Sequence, residues 1–318
     1  MTELLPEATR MGMVSLDVGD LAGQTAFYRD VLLLDVLAEN GPVVALGRGA
    51  QTLVTLRHRP DLPKGERRSA GLFHTAILHP DVASLAATLA SIAARTPQLY
   101  TGAADHLVSK AFYLDDPEGN GIELYWDRPR SEWTWHDGRV TMDVRHLDPN
   151  EFIAAHLTDA ARNHLATEPD RRGALAGLDG TVGHVHLKVG DADLAKRFYV
   201  DQLGFELTAQ WRGAVFVAAG GYHHHMAMNT WGQRRRGAAR TRAGAGPGRH
   251  HAAHRCGRRR GGGPAAGVRQ PGARHRRPGR TRRPVGQPGA AVARRLIPGF
   301  RHGARLTVCR SPTSASPK

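Results

Sequence analysis

Residues 182–207 read VGHVHLKVGDADLAKRFYVDQLGFEL. His184, His186 and Lys188 alternate with Val185, Leu187 and Val189, the period-two pattern of a strand with one apolar face. Gly190-Asp191 then opens an amphipathic helix that stops at Gly204. The same pattern occurs earlier in the chain. MGMVSLDVGDLAGQTAFYRDVLLL at 11–34 lies on 182–205 without a gap, at a constant offset of 171 (182 minus 11), and shares the Gly-Asp, the Phe-Tyr pair and the Asp that follows it. Repetition on this scale predicts a tandem architecture. The histidine is not repeated, because Met13 stands where the later copy has His184.

Working outward, each copy reads as a β-α-β-β-β unit. Unit one has a strand at 11–18, a helix over Leu21–Leu34 capped by Asp20, and short strands at 36–38, 42–46 and 52–57. A polar loop at 59–69 closes it. Unit two starts at Gly71 with LFHTAIL, continues through a helix from Pro80-Asp81 to about Arg95, and ends in strands at 111–114 and 122–126 around the turn DDPEGNG (115–121). Residues 128–180 form a connector with a helical piece near 151–165. Unit three begins at Thr181, with later strands at 214–218 and 223–229. The expected class is α+β: tandem repeats that pair into half-open eight-stranded barrel modules, with the fourth repeat missing. The boundaries are 9–127 for a first domain of two repeats, 128–180 for the connector, 181–233 for the start of a second domain, and 234–318 for a tail.

The chain has 318 residues and a net charge of +15, unevenly spread. After residue 233 there are 22 Arg, one Lys and no Asp or Glu, a charge of +23, so the body carries +15 less 23, or −8. Both cysteines, Cys256 and Cys309, lie in the tail, so the body depends on neither disulfides nor thiolate chemistry. No apolar run approaches a membrane span, and no signal segment opens the chain; the expectation is a cytoplasmic protein. The tail is dominated by Arg, Gly, Ala and Pro, a composition that predicts disorder and matches the out-of-frame translation of a GC-rich gene. Shifted by one nucleotide, codons for RPVGQPG (283–289) can read Asp-Pro-Trp-Gly-Asn-Arg, close to DPEGN at 116–120. The competing reading is a basic arm that holds nucleic acid non-specifically.

Two neutral imidazoles and one carboxylate on one face leave open positions on a ferrous ion for substrate and O₂. His184 and His74 each head the first strand of a unit, and Glu123 lies in the last strand of unit two. A single strand histidine is ordinarily a packed or solvated residue, and Glu123 alone reads as a surface carboxylate; the combination at equivalent repeat positions carries the signal. The ligand-bearing units are then two and three: either these pair across the connector, leaving unit one with unit four, or two incomplete sites exist, and the first arrangement is the one that gathers a full triad.

GLFHTAIL, DHLVSKAFYLDDPEGNGIELYWDRPRS, VGHVHLKV and GGYHHHMAMNTW resemble the vicinal oxygen chelate superfamily, which includes glyoxalases and bleomycin resistance proteins, and within it the type I extradiol dioxygenases of the catechol 2,3-dioxygenase kind. The resemblance covers about residues 9–233. It implies an Fe(II) cofactor, with Mn(II) as an alternative, held by His74, Glu123 and His184. It implies a catalytic histidine in the run His223–His225, best matched by His225, and contacts to substrate from His106 and Tyr113. The implied substrates are a small aromatic diol and O₂, and the intact family form is a homo-oligomer. A glyoxalase-type lyase or isomerase of the same fold, or an inactive truncated product, is the alternative.

Overall fold

The computed structural model describes residues 3–63, 65, 69–168, 170–175, 177–231 and 304–309. Repeat one consists of β1 (Arg10–Val18), α1 (Leu21–Ala26), β2 (Asp35–Asn40), β3 (Val43–Arg48) and β4 (Gln51–His58). Repeat two consists of β5 (Gly71–Leu78), α2 (Val82–Arg95), β6 (Tyr100–Asp105), β7 (Ser109–Asp115) and β8 (Gly121–Asp127). The connector holds a small hairpin, β9 (Trp135–His136) and β10 (Arg139–Val140), then α3 (Pro149–His156) and α4 (Asp159–Thr167). Repeat three consists of β11 (Thr181–Lys188), α5 (Ala192–Lys196), β12 (Glu206–Trp211), β13 (Ala214–Ala218) and β14 (Met226–Asn229), and β15 (Ala304–Cys309) follows far along the chain.

The internal repeat is physical as well as textual. Asp20 and Asp191 both cap their helices, accepting backbone N–H groups of Gly23 and of Asp193 and Leu194. Each helix then widens into a π-type turn, Phe27–Val31 and Arg197–Gln202, where the Phe-Tyr pair packs edge to face at 5.4 and 5.1 Å. Each turn ends on a left-handed residue, Leu33 (φ 62°) and Gly204 (φ 83°), one offset apart. The helix expected over 151–165 is two helices: Thr158 interrupts it and caps α4 through the Ala161 N–H. β6 and β12 were not expected; β6 carries a bulge between Tyr100 and Gly102 that breaks its alternation.

Repeats two and three join in one curled eight-stranded sheet, ordered β12-β13-β14-β11-β5-β8-β7-β6. The seam is the antiparallel pair β5–β11, running from Thr181 opposite Leu78 to Lys188 opposite Gly71. Repeat one forms a second sheet, ordered β15-β1-β4-β3-β2, in which β15 lies antiparallel to β1 as β5 does to β11. Most of the tail, 232–303 and 310–318, lies outside the described residues, and so do the expectations of disorder and of a missing fourth repeat. All described residues fall within one compact unit.

One face of the eight-stranded sheet is apolar. Ile77, Phe112, Leu114, Ile122, Leu124, Val185 and Leu187 pack into a core shared with Leu85, Leu89 and Ile92 of α2 and with Val14, Leu16, Leu46 and Leu56 of the first sheet. Alternation sends the polar partners of these residues to the opposite face. The two sheets are also tied at a turn: Glu118 of the DDPEGNG segment accepts the N–H groups of Gly19 (2.9 Å) and Asp20 (2.7 Å) at the start of α1. Beneath it, Asp116 accepts the Tyr28 hydroxyl at 3.3 Å. Among the described residues no helix is long and apolar enough to cross a membrane.

Candidate metal centre

Strand register assembles the site. His184 on β11 stands opposite Ala76 on β5, Ala76 opposite Glu123 on β8, and Glu123 opposite Tyr113 on β7. One row therefore runs His184–Ala76–Glu123–Tyr113 across four strands. In the next row, His186 stands opposite His74, and His74 opposite Gly121. Two small positions shape this surface. Ala76, between His184 and Glu123 in the register, carries only a methyl group. At Gly121 a Cβ would lie 2.1 Å from the Phe73 carbonyl oxygen and 3.2 Å from the Cβ of His74, so any side chain there would collide with the backbone that carries the imidazole.

His74, Glu123 and His184 offer ligand atoms that all lie within 4.8 Å of one another. Glu123 Oε2 is 2.9 Å from His74 Nε2 and 3.1 Å from His184 Nε2, and each side chain is at least nine-tenths buried. The His74 contact is too far off line for an N–H···O bond: Nε2 is a sealed nitrogen without a hydrogen-bond partner. Burial alone would raise the Glu123 carboxyl; the imidazoles of His184 and His74 outweigh it and hold the group well below the usual range. Burial depresses His184 against the pull of Glu123. These two directions compete for one shared proton, and the state consistent with burial is an ionised carboxylate facing a His184 imidazole that resists charging. Two imidazole nitrogens, one of them the unpartnered Nε2 of His74, and one carboxylate oxygen form a fitting donor set for a divalent transition metal.

The surrounding side chains are aromatic and hydrogen-bonded. The Tyr113 hydroxyl is 2.7 Å from His106 Nε2, and His106 Nδ1 is 2.8 Å from the carbonyl of Asp143 in the connector. A carbonyl only accepts, so Nδ1 carries the His106 proton and Nε2 accepts from Tyr113. Burial, then the charge of Glu123, pushes the Tyr113 phenol well above its usual range. His186 packs edge-on against His74 at 4.9 Å, and its Nε2 meets Asn229 Nδ2 at 2.9 Å. Burial also drives His186 and His224 well toward the neutral form.

The His223–His225 run precedes β14 rather than belonging to it, so strand alternation does not govern it. His224 lies tilted against His184 at 4.1 Å between centroids, and His223 follows at 6.0 Å. His225 is turned elsewhere: its Nδ1 accepts the Ala219 N–H at 3.2 Å, and its ring lies 4.8 Å from Tyr222. Burial lowers it to about 3. The structure therefore brings together His74, Glu123, His184, Tyr113 and His106, and places His224 nearer than His225. Sequence reasoning left His186 as an ordinary strand position and missed Tyr125 and Asp127. The signal was present: 184 and 186, and 123, 125 and 127, share a face by period two.

Residues 10–124 and 181–259 match the model of the Glyoxalase/Bleomycin resistance protein/Dioxygenase superfamily, and the chain belongs to that superfamily. A catechol-2,3-dioxygenase of Bacillus subtilis (strain 168) is 37% identical over 235 residues, which cover 72% of this chain and 77% of that protein. Among solved structures, a Bacillus subtilis protein described as a dioxygenase aligns with a TM-score of 0.44 at 13% identity, covering 72% of this chain and 65% of that one. The E323L mutant of homoprotocatechuate 2,3-dioxygenase from Brevibacterium fuscum aligns with a TM-score of 0.30 at 19% identity, covering 72% and 55%. The chain thus spans just under two thirds of the first solved relative's length.

Proposed function

We propose that this chain is an extradiol ring-cleaving dioxygenase of catechol-type substrates, an oxidoreductase that uses Fe(II) and O₂. The observation that carries the reading is the convergence of His74, Glu123 and His184 on one buried point beneath aromatic and histidine side chains. The named Bacillus relative supports the substrate class. His74, Glu123 and His184 would hold the metal, and Mn(II) would accept the same donors. When bound, a ferrous ion would lower the pKa of a chelating diol and supply the reducing power that O₂ requires.

The protein's own residues do the rest. His224, in ring contact with His184, is placed to take a proton from a substrate hydroxyl and later return it; we favour it over His225, whose Nδ1 is engaged by the backbone. Tyr113 and His106 form a proton-sharing pair at the Glu123 edge, placed to stabilise negative charge that develops on a substrate oxygen. Phe73, His186 and Trp231, with centroids 5.1 to 6.3 Å apart, offer ring faces on which an aromatic substrate can lie.

The same reading places the protein in the cytoplasm and takes residues 234–318 as out of frame. Sequencing the gene across codons 228–240 tests the frame: a one-base change there should restore an apolar β-α-β pattern. The activity test is anaerobic Fe(II) loading of the full chain, followed by catechol and air. Yellow ring-opened semialdehyde should form, and Glu123→Gln should abolish both metal retention and product. A chain that holds one iron and yields no product refutes the assignment.

A further inference from the structure

The candidate metal centre has two unlike flanks, with His74 between them. On the β7 side stand Tyr113 and His106, joined by a hydrogen bond, with Tyr113 5.7 Å from the His74 ring. On the β11 side stand Phe73 and His186, 5.2 and 4.9 Å from that ring, and beyond them Trp231. Phe73 and Trp231 keep 38% and 41% of their surface exposed. The aromatic flank exists because of a bulge. His186 stands opposite His74, and the next residue, Leu187, stands opposite Leu72, so Phe73 is an extra residue on β5. Regular alternation would send Phe73 to the face opposite His74; the bulge turns its ring onto His74 and His186. Gly121 on β8 accommodates the bulged backbone, since a Cβ there would fall on the Phe73 carbonyl oxygen. Trp231 is held independently: its N–H donates to Asn229 Oδ1 at 2.9 Å, and Asn229 Nδ2 meets His186.

We propose that Phe73 is a specificity-determining residue: with Trp231 it selects diols that carry a flat apolar substituent, such as a second aromatic ring, and draws that substituent to the β11 side. The proposal deepens the dioxygenase reading and rests on it for the diol. The argument is one of solvation. An aryl group gains by covering exposed ring surface, and ring pairs prefer the offset or edge-on contacts that Phe73 and Trp231 leave open. On the other flank the same group would strand the polar atoms of Tyr113 and His106 away from water. A substituted diol can approach the ligands either way round, and the flanks favour one of them: diol edge toward Tyr113, substituent toward Phe73. Unsubstituted catechol leaves both rings bare and gains nothing from them. One position further out by alternation, Lys188 shares the face of His186. A carboxylate-bearing substituent read by that ammonium is the competing outcome.

Two measurements test it. The first is binding. The full chain, stripped of metal with a chelator, is titrated with 2-phenylphenol and with phenol, and quenching of tryptophan fluorescence is followed. 2-Phenylphenol should bind at least 10-fold more tightly than phenol, Trp231→Phe should remove most of the quenching, and Phe73→Ala should weaken 2-phenylphenol by about 10-fold. The second is turnover of the iron-loaded full chain with catechol, 3- and 4-phenylcatechol and 3,4-dihydroxyphenylacetate. One phenylcatechol should exceed catechol in kcat/KM, and Phe73→Ala at equal iron content should lower that ratio by about 10-fold, with Phe73→Tyr retaining it. Where Phe73→Ala fails to fold, Phe73→Leu reads the same ratio. A ratio unchanged by the Phe73 variants overturns the proposal, and so does a preference for 3,4-dihydroxyphenylacetate over both phenylcatechols. If catechol is cleaved and neither phenylcatechol is preferred, the aromatic flank fails and the dioxygenase reading stands. If no diol is cleaved while 2-phenylphenol binds in the Phe73-dependent way stated, the dioxygenase reading fails and the flank stands.

Discussion

Gly183, the middle residue of the VGH segment, should tolerate no side chain, although its backbone would accept one. It lies within β11 and is not among the residues with positive φ. An added Cβ would fall on the Tyr125 hydroxyl and sit 2.7 Å from Tyr125 Cζ, whereas carbon atoms rest at about 3.5–4.0 Å. The ring must retreat by about 1 Å, and it has nowhere to go. Tyr125 is fully buried, His184 lies against it at 4.9 Å, and its hydroxyl is bonded to Tyr222. Overpacking of this kind costs about 1–3 kcal/mol. Breaking the Tyr125–Tyr222 bond between buried hydroxyls adds about 1–2 kcal/mol. Replacing a strand glycine returns about 0.5–1 kcal/mol of chain entropy. Gly183→Ala should therefore destabilise by about 1–4 kcal/mol in urea unfolding followed by tryptophan fluorescence. Tyr125→Phe removes the atom that collides first, so the double variant should lose about 1 kcal/mol less than the sum of the two single variants. A Gly183→Ala cost below about 0.5 kcal/mol, or strict additivity with Tyr125→Phe, would show that the close approach does not matter.

Two further outcomes follow from groups away from the metal centre. His79 is buried, its Nδ1 is 3.4 Å from Ser84 Oγ, its Nε2 has no partner, and burial followed by the charge of Arg48 depresses its pKa well below the usual value. A histidine depressed in the folded state contributes stability that is present above its unfolded pKa of about 6.5 and is lost as pH falls toward the folded value. Between pH 6.5 and 5.5 the wild-type chain should lose about 1 kcal/mol more stability than His79→Leu, measured as urea midpoints at the two pH values; parallel losses refute it. At the tether between the sheets, Glu118→Ala removes the acceptor of two backbone N–H groups at the start of α1. It should cost about 1–2 kcal/mol, with Glu118→Gln losing less; equal midpoints for all three chains in a urea titration would remove the tether from the account.

The repeat and the three candidate ligands were legible because both depend on local pattern. The offset of 171 carries the helix caps, the Phe-Tyr pairs and the left-handed helix ends at 33 and 204 alike. The candidate ligands stand at first-strand and last-strand positions of the repeats, on the face opposite the apolar one. Period two also predicts Tyr125 and Asp127 on the face of Glu123, and His186 on that of His184; nothing in the strands themselves assigns those residues a task. What the pattern could not reveal is non-local. The β5–β11 seam that brings His184 to Glu123 crosses the connector, and the connector itself supplies the Asp143 carbonyl that orients His106 and the Trp133 ring that covers His223.

The His223–His225 run illustrates the same limit. As a strand it would aim 223 and 225 at one face and 224 at the other, but the segment is an irregular approach to β14 in which His223 and His224 meet through their Nδ1 atoms. Its geometry is set from outside, by Asp127 at the end of a strand nearly a hundred residues earlier. The connector is thus more than a spacer between repeats. The candidate ligands come from the repeats; the orientation of the groups around them depends on contacts between segments far apart in the chain. Substitutions in the connector, at Trp133 above all, should therefore disturb the histidines without touching any residue that could bind the metal.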